Sequence, residues 1–308
     1  MRSPRLSQLM VILGATLATA GWITAGCGFD GEGTGPSAAD ATGDTDVTPR
    51  TDGEATGDSG DAGDAGDAAA LDDGGVYRQP TLLLWLDGAD PAGNGTVPAN
   101  GAPVAAWVDK ARARSVVQPL AIRQPKFRAS AIAGKPALSF DGLDDFLDID
   151  LDINGSVLPD ATFITVFQNN AGDTSAYAGV WGHDNGGWDR FLCSGGSAKL
   201  NGISNGSGFT VLPGLTATSV PIIATIVMNA KVANQSFAYV NGTLAATFQG
   251  STSSGTTHMS IGNLNGPAVF GTTWSFDGAV AQLLVYGSAL ADPVRQAIEA
   301  RLRAEYLP

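Results

Sequence analysis

The sequence predicts an all-β domain, built as a two-sheet antiparallel sandwich and closed by one C-terminal α-helix. From Tyr77 onward the chain contains many short apolar runs of strand length. Glycine, asparagine, proline and serine separate these runs at short intervals, as in an antiparallel sandwich. A sandwich of roughly 200–250 residues commonly forms one domain. We therefore assign residues 76–308 to one folded domain.

The first residues have the composition of a secretory leader. Arg2 and Arg5 give a positively charged start, and Leu9–Ala20 is an apolar run. This run is too short to span a bilayer comfortably as a helix, but it fits the apolar core of a signal peptide. Residues 1–26 are accordingly predicted to be a signal peptide.

A cysteine follows this leader directly. The segment Thr24–Cys27 places small residues before Cys27 and resembles the lipobox of bacterial lipoproteins, although Thr24 stands where that family prefers leucine. The resemblance implies that Cys27 is acylated and becomes the mature N-terminus. Gly28 then favours the outer membrane over inner-membrane retention. The alternative is an ordinary secretory cleavage site in which the cysteine has no role.

Residues 27–75 are predicted to form a disordered acidic tether. They contain 13 acidic residues and one base, Arg50, and Gly60–Ala68 reads GDAGDAGDA. Such a segment cannot bury enough apolar surface to offset the entropy of ordering its backbone. A flexible chain of this length spans about 35–40 Å, and charge repulsion extends it. A calcium-binding repeat is the alternative, but the spacing lacks the apolar positions of β-helix repeats.

The folded part contains thirteen predicted strands. They are Thr81–Leu86, Pro103–Val108, Ala137–Phe140, Phe146–Ile153, Thr162–Phe167, Tyr177–Trp181, Arg190–Cys193, Phe209–Leu212, Pro221–Met228, Ser236–Val240, Thr243–Phe248, Met259–Gly262 and Trp274–Tyr286. In Phe146–Ile153 the apolar residues alternate with Asp148, Asp150 and Asp152, which predicts a half-buried strand with an acidic face. Cys193 is expected to be a buried apolar thiol.

Two further elements have specific local signals. Asn241–Gly242 lies between two β-rich runs and accepts the positive φ angles of a type I′ turn, so a tight hairpin is predicted. The terminal helix begins near Asp292, which can cap it, and Pro293 suits its first turn. Its apolar face comprises Val294, Ile298, Leu302 and Tyr306, whereas Arg295, Glu299 and Arg303 lie off that face.

The order of several motifs points to a known family. The motifs are Leu84–Asp87, Trp107–Lys110, Gln124–Phe127, Lys135–Leu138, Phe140–Phe146, Phe276–Ala279 and Leu284–Tyr286. Together they resemble the laminin-G-like branch of the concanavalin A-like lectin/glucanase superfamily, over residues 76–308. The resemblance implies a jelly-roll sandwich. It does not assign an activity, because one fold hosts many functions.

The residue types needed for hydrolysis are sparse, so no catalytic residue is predicted. Superfamily glucanases resemble one another in carrying paired acids, mostly glutamates, on one strand. Here the folded domain has two glutamates, Glu299 and Glu305, both in the terminal helix. The alternative enzyme is a glycoside hydrolase or polysaccharide lyase-like protein that uses Asp148, Asp150 and Asp152. A serine nucleophile elbow is absent from the sequence, and the histidines are His183 and His258.

One predicted loop carries the mixture of aromatic, amide and acidic side chains that recognises sugars. Its candidate ligand-binding residues are Trp181, His183, Asp184, Asn185, Trp188, Asp189 and Arg190. Aromatic rings stack on sugar C–H patches, and loops on a rigid sandwich suit recognition. The alternative is that both tryptophans pack inward and the loop is a glycine-rich connection.

No cofactor is certain, but calcium is a possible ligand. Asp150, Asp152 and Asn154 match the first half of an oxygen-ligand calcium loop, although the twelfth position is Ala161 rather than glutamate. A second acidic cluster comprises Asp141, Asp144 and Asp145. The alternative for both is solvation of turns and strand edges.

The distribution of charge limits the class of partner. The net charge of −13 belongs almost entirely to the tether, and the sequence has no basic stripe, so nucleic acid is excluded as a ligand. The leading prediction is a cell-envelope lipoprotein that binds a glycan or a surface protein and meets the membrane through its lipid anchor alone. A purely structural envelope protein is a further alternative.

Overall fold

The computed structural model describes residues 75–171, 177–184, 189–196, 200–264 and 274–307. Cys27 and the predicted leader and tether lie outside these residues, as do Asn185 and Trp188. The domain boundary at residue 76 therefore stays a prediction. Within the described residues, no helix is long and apolar enough to cross a membrane.

The described chain consists mainly of β-strands, with one α-helix at its end. The strands are β1 (Leu82–Asp87), β2 (Ala106–Val108), β3 (Ser115–Val117), β4 (Lys126–Ile132), β5 (Lys135–Asp141), β6 (Leu147–Ile149), β7 (Asp160–Asn169), β8 (Gly179–Gly182), β9 (Arg190–Cys193), β10 (Gly202–Asn205), β11 (Phe209–Val211), β12 (Ile222–Asn229), β13 (Ser236–Val240), β14 (Thr243–Phe248), β15 (Met259–Ile261) and β16 (Asp277–Tyr286). Helix α1 spans Asp292–Tyr306, and Ala121–Arg123 form a short 3-10 turn.

The strands form two antiparallel sheets of eight strands, which confirms the predicted sandwich. The first sheet has the order β14-β13-β12-β7-β16-β5-β4, with β1 paired to the second half of β16. The second sheet has the order β11-β10-β9-β8-β15-β6-β3-β2. Together with the terminal helix, this architecture is that of a jelly-roll β-sandwich.

The main core lies between the two sheets and follows the alternation of side chains along the strands. In β7, Phe163 and Phe167 point into this core, whereas Ile164 and Val166 point to the outer face of the first sheet. Helix α1 packs on that outer face through Ile298 and the other apolar positions of its buried stripe. Because successive side chains point to opposite faces of a strand, β7 contributes to both hydrophobic cores.

Two local predictions about turns and caps have different outcomes. Asn241 and Gly242 join β13 to β14 with φ angles of 53° and 81°, as the type I′ hairpin requires. At α1 the N-cap residue is Ala291, which makes no side-chain cap. The predicted cap at Asp292 is therefore wrong: its carboxylate instead accepts a hydrogen bond from Arg295 at 3.0 Å.

The polar side of α1 also differs from the expectation. Arg295 and Glu299, which were expected to lie off the buried face, are 3% and 0% exposed. Their side chains pair at 2.6 Å, and the Arg295 guanidinium lies 3.7 Å from the ring centroid of Tyr239. The contact with β13 thus buries an ion pair that helical periodicity alone assigns to solvent.

Candidate functional site

The predicted acidic strand is shorter in the structure, and this changes the candidate site. β6 ends at Ile149, so only Asp148 lies on the outer face of a strand. The carboxylate of Asp152 accepts hydrogen bonds from the backbone and side-chain nitrogens of Asn154, at 2.9 and 2.7 Å. Together with the hydrogen bond from the Leu151 amide to the Ile149 carbonyl oxygen at 2.9 Å, this Asx turn keeps residues 150–154 in local turns rather than in the strand ladder. The prediction of one strand face for Asp148, Asp150 and Asp152 is therefore wrong.

Arg190 joins the predicted ligand loop to the segment that follows β6. Its buried guanidinium donates to the carbonyl oxygen of Ile153 at 3.0 Å, to that of Leu158, and to that of Ser251 at 3.0 Å. Burial lowers the pKa of Arg190 to about 10, while Asp160 and Asp152 raise it, so the side chain stays cationic at neutral pH. Arg190 therefore holds loops in place rather than facing a ligand.

Three segments meet at the end of the second sheet where β6 ends and β9 and β15 begin. They are residues 150–158, the pair Asp189–Arg190 and residues 251–258. The amide of Ser156 donates to the carbonyl oxygen of Ser253 at 3.0 Å, and the Asn154 side chain donates to that of Thr256 at 2.8 Å. Gly255 is required, because a Cβ there would lie 2.3 Å from a carboxylate oxygen of Asp189. We call the solvent-facing part of these segments the three-loop surface.

The three-loop surface presents hydroxyl and carboxylate groups. Asp150, Thr252, Ser254 and Thr257 are exposed. Asp152 and His258 are half-buried at its edge. Residues 251–258 were not predicted to contribute, and no local signal distinguishes this serine- and threonine-rich stretch from an ordinary loop. The two predicted sites, one for ligand and one for metal, are thus brought into one neighbourhood.

The histidine and aspartate pair of the predicted loop lies beneath this surface. His183 is 0% exposed and Asp189 is 5% exposed, with Nδ1 of His183 3.3 Å from Oδ2 of Asp189. Burial lowers the pKa of His183, an effect that the Asp189 carboxylate partly offsets. Asp184 is also buried, and its amide donates to the carbonyl oxygen of Leu264.

Trp181 does not face solvent, which corrects the prediction that it stacks on a sugar. It is fully buried between the sheets, where its ring stacks on Phe163 with centroids 4.4 Å apart. Its indole N–H donates to the hydroxyl of Thr165 at 2.8 Å. A Trp that fills the core and satisfies its polar atom is a packing residue. Of the predicted ligand residues, Asn185 and Trp188 lie outside the described part of the chain.

The other acidic side chains form a cluster at the opposite end of β6. One carboxylate oxygen from each of Asp141, Asp144 and Asp145 lies within 4.8 Å of the others. Asp145 is 4% exposed, and its carboxylate accepts a hydrogen bond from the Asp141 amide at 3.2 Å. Burial, with the nearby Asp141 charge, raises the pKa of Asp145 to about 7. Carboxylates at this spacing could hold a hard cation such as calcium.

Asp148 is the residue of the predicted acidic strand that remains on β6. It is half-buried, and burial raises the pKa of its carboxyl, although a hydrogen bond from the Ser260 hydroxyl opposes this effect. A second acid on the same strand face is missing, because β6 ends one residue later. The paired geometry of glycoside hydrolysis is therefore not formed by this strand.

Comparison with known proteins identifies no family. No family model matches the chain, and no curated protein matches its sequence. Solved structures match at low identity. A Trypanosoma rangeli sialidase in complex with the inhibitor DANA is 14% identical with a TM-score of 0.46, and the match covers 72% of this chain and 33% of the sialidase. This chain therefore matches about a third of the sialidase's length.

Two further domains match over a similar part of this chain. The binding domain of botulinum neurotoxin serotype D is 9% identical with a TM-score of 0.46, over 71% of this chain and 50% of that one. Domain 4 of AbnA, a GH43 extracellular arabinanase from Geobacillus stearothermophilus, in complex with arabinotriose, is 11% identical with a TM-score of 0.44, over 71% and 98%. At these values the comparisons assign neither a family nor a site.

Proposed function

We propose that the chain is a cell-envelope lipoprotein whose β-sandwich domain binds a glycan through the three-loop surface. The observation that carries the proposal is the Arg190 tie. One buried guanidinium fixes three carbonyl oxygens from two neighbouring segments. Loops that are held rigidly on a sandwich, with exposed hydroxyls and carboxylates, suit recognition of sugar hydroxyls. The lipid anchor at Cys27 and the acidic tether would hold this domain at the cell surface or outer membrane.

Burial of the His183–Asp189 pair and of Glu299 supports a binding role rather than catalysis. A general base must reach the proton that it removes, at about 2.6–3.2 Å or through one water. His183 and Asp189 are buried at 0% and 5% exposure. Glu299 is buried against Arg295. Among the described residues, the imidazole–carboxylate pair thus serves the fold, and we propose that the domain is not an enzyme.

A binding assay with one exposed carboxylate removed tests the proposal. The full chain is applied to a glycan array, and the strongest ligand is then titrated against Asp150→Ala and Thr252→Ala. Both residues are exposed, so the fold should be unaffected, and each variant should lose about three- to tenfold in affinity. Asp144→Ala, which removes a half-buried carboxylate paired with Arg123 at the other end of β6, is the control and should bind normally.

Three results would contradict this proposal in different ways. Equal binding by Asp150→Ala, Thr252→Ala and the control would move the site away from the three-loop surface. An array that is negative at high protein concentration, with and without calcium, would favour a surface-protein ligand or a structural envelope role. Release of reducing sugar that is lost in Asp148→Asn would favour the glycoside hydrolase alternative.

Calcium binding also stays a prediction. Of the three calcium ligands proposed from the sequence, Asp152 and Asn154 are hydrogen-bonded to each other in their own turn. The third, Asp150, is exposed. The cluster of Asp141, Asp144 and Asp145 is the other candidate. Thermal unfolding of the full chain with calcium or with a chelator tests both, because a ligand that binds the folded state raises the unfolding temperature. Asp150→Asn and Asp144→Asn distinguish the two sites.

A further inference from the structure

A polar groove on the outer face of the first sheet has no role in the function proposed above. Its volume is about 530 Å³, within the roughly 300–1,000 Å³ that small-molecule sites occupy. The groove runs across four strands, β4, β5, β16 and β7, and is closed on one side by Asn100, in the loop between β1 and β2. Its principal lining residues are Asn100, Arg128, Ser139, Gln168, Asn170 and Ala279.

Strand register fixes the polar side chains of this groove on one face. Ala279 of β16 is paired with Ser139 of β5 on one side and with Gln168 of β7 on the other. Directly paired residues of neighbouring strands point to the same face of a sheet. The small side chain of Ala279 therefore forms the floor of the groove between a hydroxyl and an amide.

The two asparagines that border the groove are held by the protein. The side chain of Asn170 donates to a carboxylate oxygen of Asp277 at 2.6 Å, which leaves its carbonyl oxygen as an acceptor. The side-chain oxygen of Asn100 accepts from the Ala129 amide at 3.0 Å, which leaves its NH₂ group as a donor. Preorganised amides of this kind lower the entropic cost of binding a polar ligand.

Arg128 and Gln168 provide the hydrogen-bonding groups that the described chain does not use. Arg128 is exposed at the groove wall, and within the described ranges no carboxylate lies at ion-pair distance from it. Its guanidinium lies beside Gly101, where a Cβ would be 3.6 Å from one terminal nitrogen. Gln168 is half-buried and makes no side-chain hydrogen bond to a described residue. The Arg128 guanidinium and the Gln168 side-chain amide thus both face the groove.

We propose that this groove binds a sugar acid, with the ligand carboxylate on Arg128 and its hydroxyls on Gln168, Asn170 and Ser139. A guanidinium matches a carboxylate through two parallel hydrogen bonds, which gives both strength and orientation. The principal lining residues include no aromatic ring, so stacking with a neutral sugar does not account for recognition here. The inference concerns a different face of the sandwich from the three-loop surface and does not depend on it.

Calorimetric titration of the full chain tests the proposal. The probes are D-glucuronate and D-galacturonate, with D-glucose as the neutral analogue and acetate as the simple anion. At least one sugar acid should bind about tenfold more tightly than glucose and acetate. Arg128→Gln should reduce that affinity about tenfold, and Gln168→Ala about three- to tenfold. Lys126→Gln, an equal charge change two residues away on β4 and outside the groove lining, should bind like the unmodified chain.

Four results with the ligands and with Arg128→Gln would overturn the assignment, and a fifth concerns the Lys126→Gln control. The first four are binding of glucose as tight as that of both acids, binding of acetate as tight as that of both acids, unchanged affinity in Arg128→Gln, and no binding of either acid below about 10 mM. Because Arg128 is exposed, its variant should unfold at the same temperature as the unmodified chain. Loss of sugar-acid binding in Lys126→Gln to the same extent would indicate general charge attraction, which also overturns a built site.

Discussion

The guanidinium of Arg190 donates a 3.0 Å hydrogen bond to the carbonyl oxygen of Ile153, a residue 37 positions earlier in the chain. The same side chain is 1% exposed, so this contact takes place inside the protein. A buried cation is costly unless it is hydrogen-bonded, and here both terminal nitrogens of the guanidinium donate to carbonyl oxygens. The geometry of the three-loop surface therefore depends on a residue that a ligand cannot reach.

Arg190→Met should lower the free energy of unfolding by about 2–4 kcal/mol. Methionine keeps much of the apolar stem, but it leaves the carbonyl oxygens of Ile153, Leu158 and Ser251 without their donor. Arg190→Lys keeps the charge and should recover only part of the loss, because an ammonium cannot reach three separated acceptors in the same planar geometry. Urea unfolding measures both. A Met variant as stable as the unmodified chain would contradict the role assigned to Arg190.

The Trp181–Thr165 pair gives a prediction for the core. Trp181→Phe should cost about 1–3 kcal/mol of unfolding free energy, since it removes volume and the 2.8 Å hydrogen bond to Thr165. Thr165→Val should cost less. In the double variant, the loss should fall short of the sum of the single losses by about 1 kcal/mol. Strictly additive losses in urea unfolding would show that the hydrogen bond contributes nothing.

The fold was largely predictable because its signals are local. Short apolar runs of strand length identify β7 and β12, and the two-residue turn at Asn241 fixes one hairpin. β10, with the sequence Gly-Ile-Ser-Asn, was not predicted, because its small and polar residues resemble a turn. It is nevertheless buried, since Gly202 lies so close to Thr210 that a Cβ would be 2.0 Å from its carbonyl oxygen. Such burial arises from neighbours that a local pattern does not contain.

The candidate site was less predictable because it is assembled from distant segments. Ser251 meets Arg190 from 61 residues away, and Asn154 meets Thr256 from 102 residues away. Composition indicated that the Trp181–Arg190 loop is polar, but not that His183, Asp184, Asp189 and Arg190 are buried. The groove at Gln168 depends on strand order, which a single sequence does not specify. Periodicity predicts the face of a strand on which a residue lies. It does not predict which distant segments lie next to each other, and the candidate site depends on that arrangement.

The buried ion pair of α1 should be costly to break from one side. Glu299→Ala should destabilise the protein by about 3–5 kcal/mol, because Arg295 is then left buried without its 2.6 Å partner. Arg295 would keep its contact with Asp292 at 3.0 Å, but Asp292 is mostly exposed. Asp292→Asn is the matched control and should cost less than about 1 kcal/mol. Thermal and urea unfolding of both variants provide the comparison, and equal losses would refute the asymmetry.

The pH dependence of stability should report on Asp145. Burial raises the pKa of its carboxyl to about 7 from the ordinary value near 4, so the folded state holds a proton that the unfolded state has released. Between these two values the folded state binds more protons, and stability must fall as the pH rises. In the folded state, the Asp145 carboxyl is thus expected to be protonated at pH 4 and ionised at pH 8, and its ionisation should lower the free energy of unfolding.

Asp145→Asn should remove this cost and keep the hydrogen bond, because the amide oxygen can still accept from the Asp141 amide. The variant should be close to the unmodified chain in stability at pH 4 and more stable at pH 8, by about 1–3 kcal/mol. Asp144→Asn, with a more exposed carboxyl, should show a smaller difference between the two values of pH. Urea unfolding across this range measures the difference. A gain that is the same at pH 4 and pH 8 would mean that ionisation of Asp145 does not oppose folding.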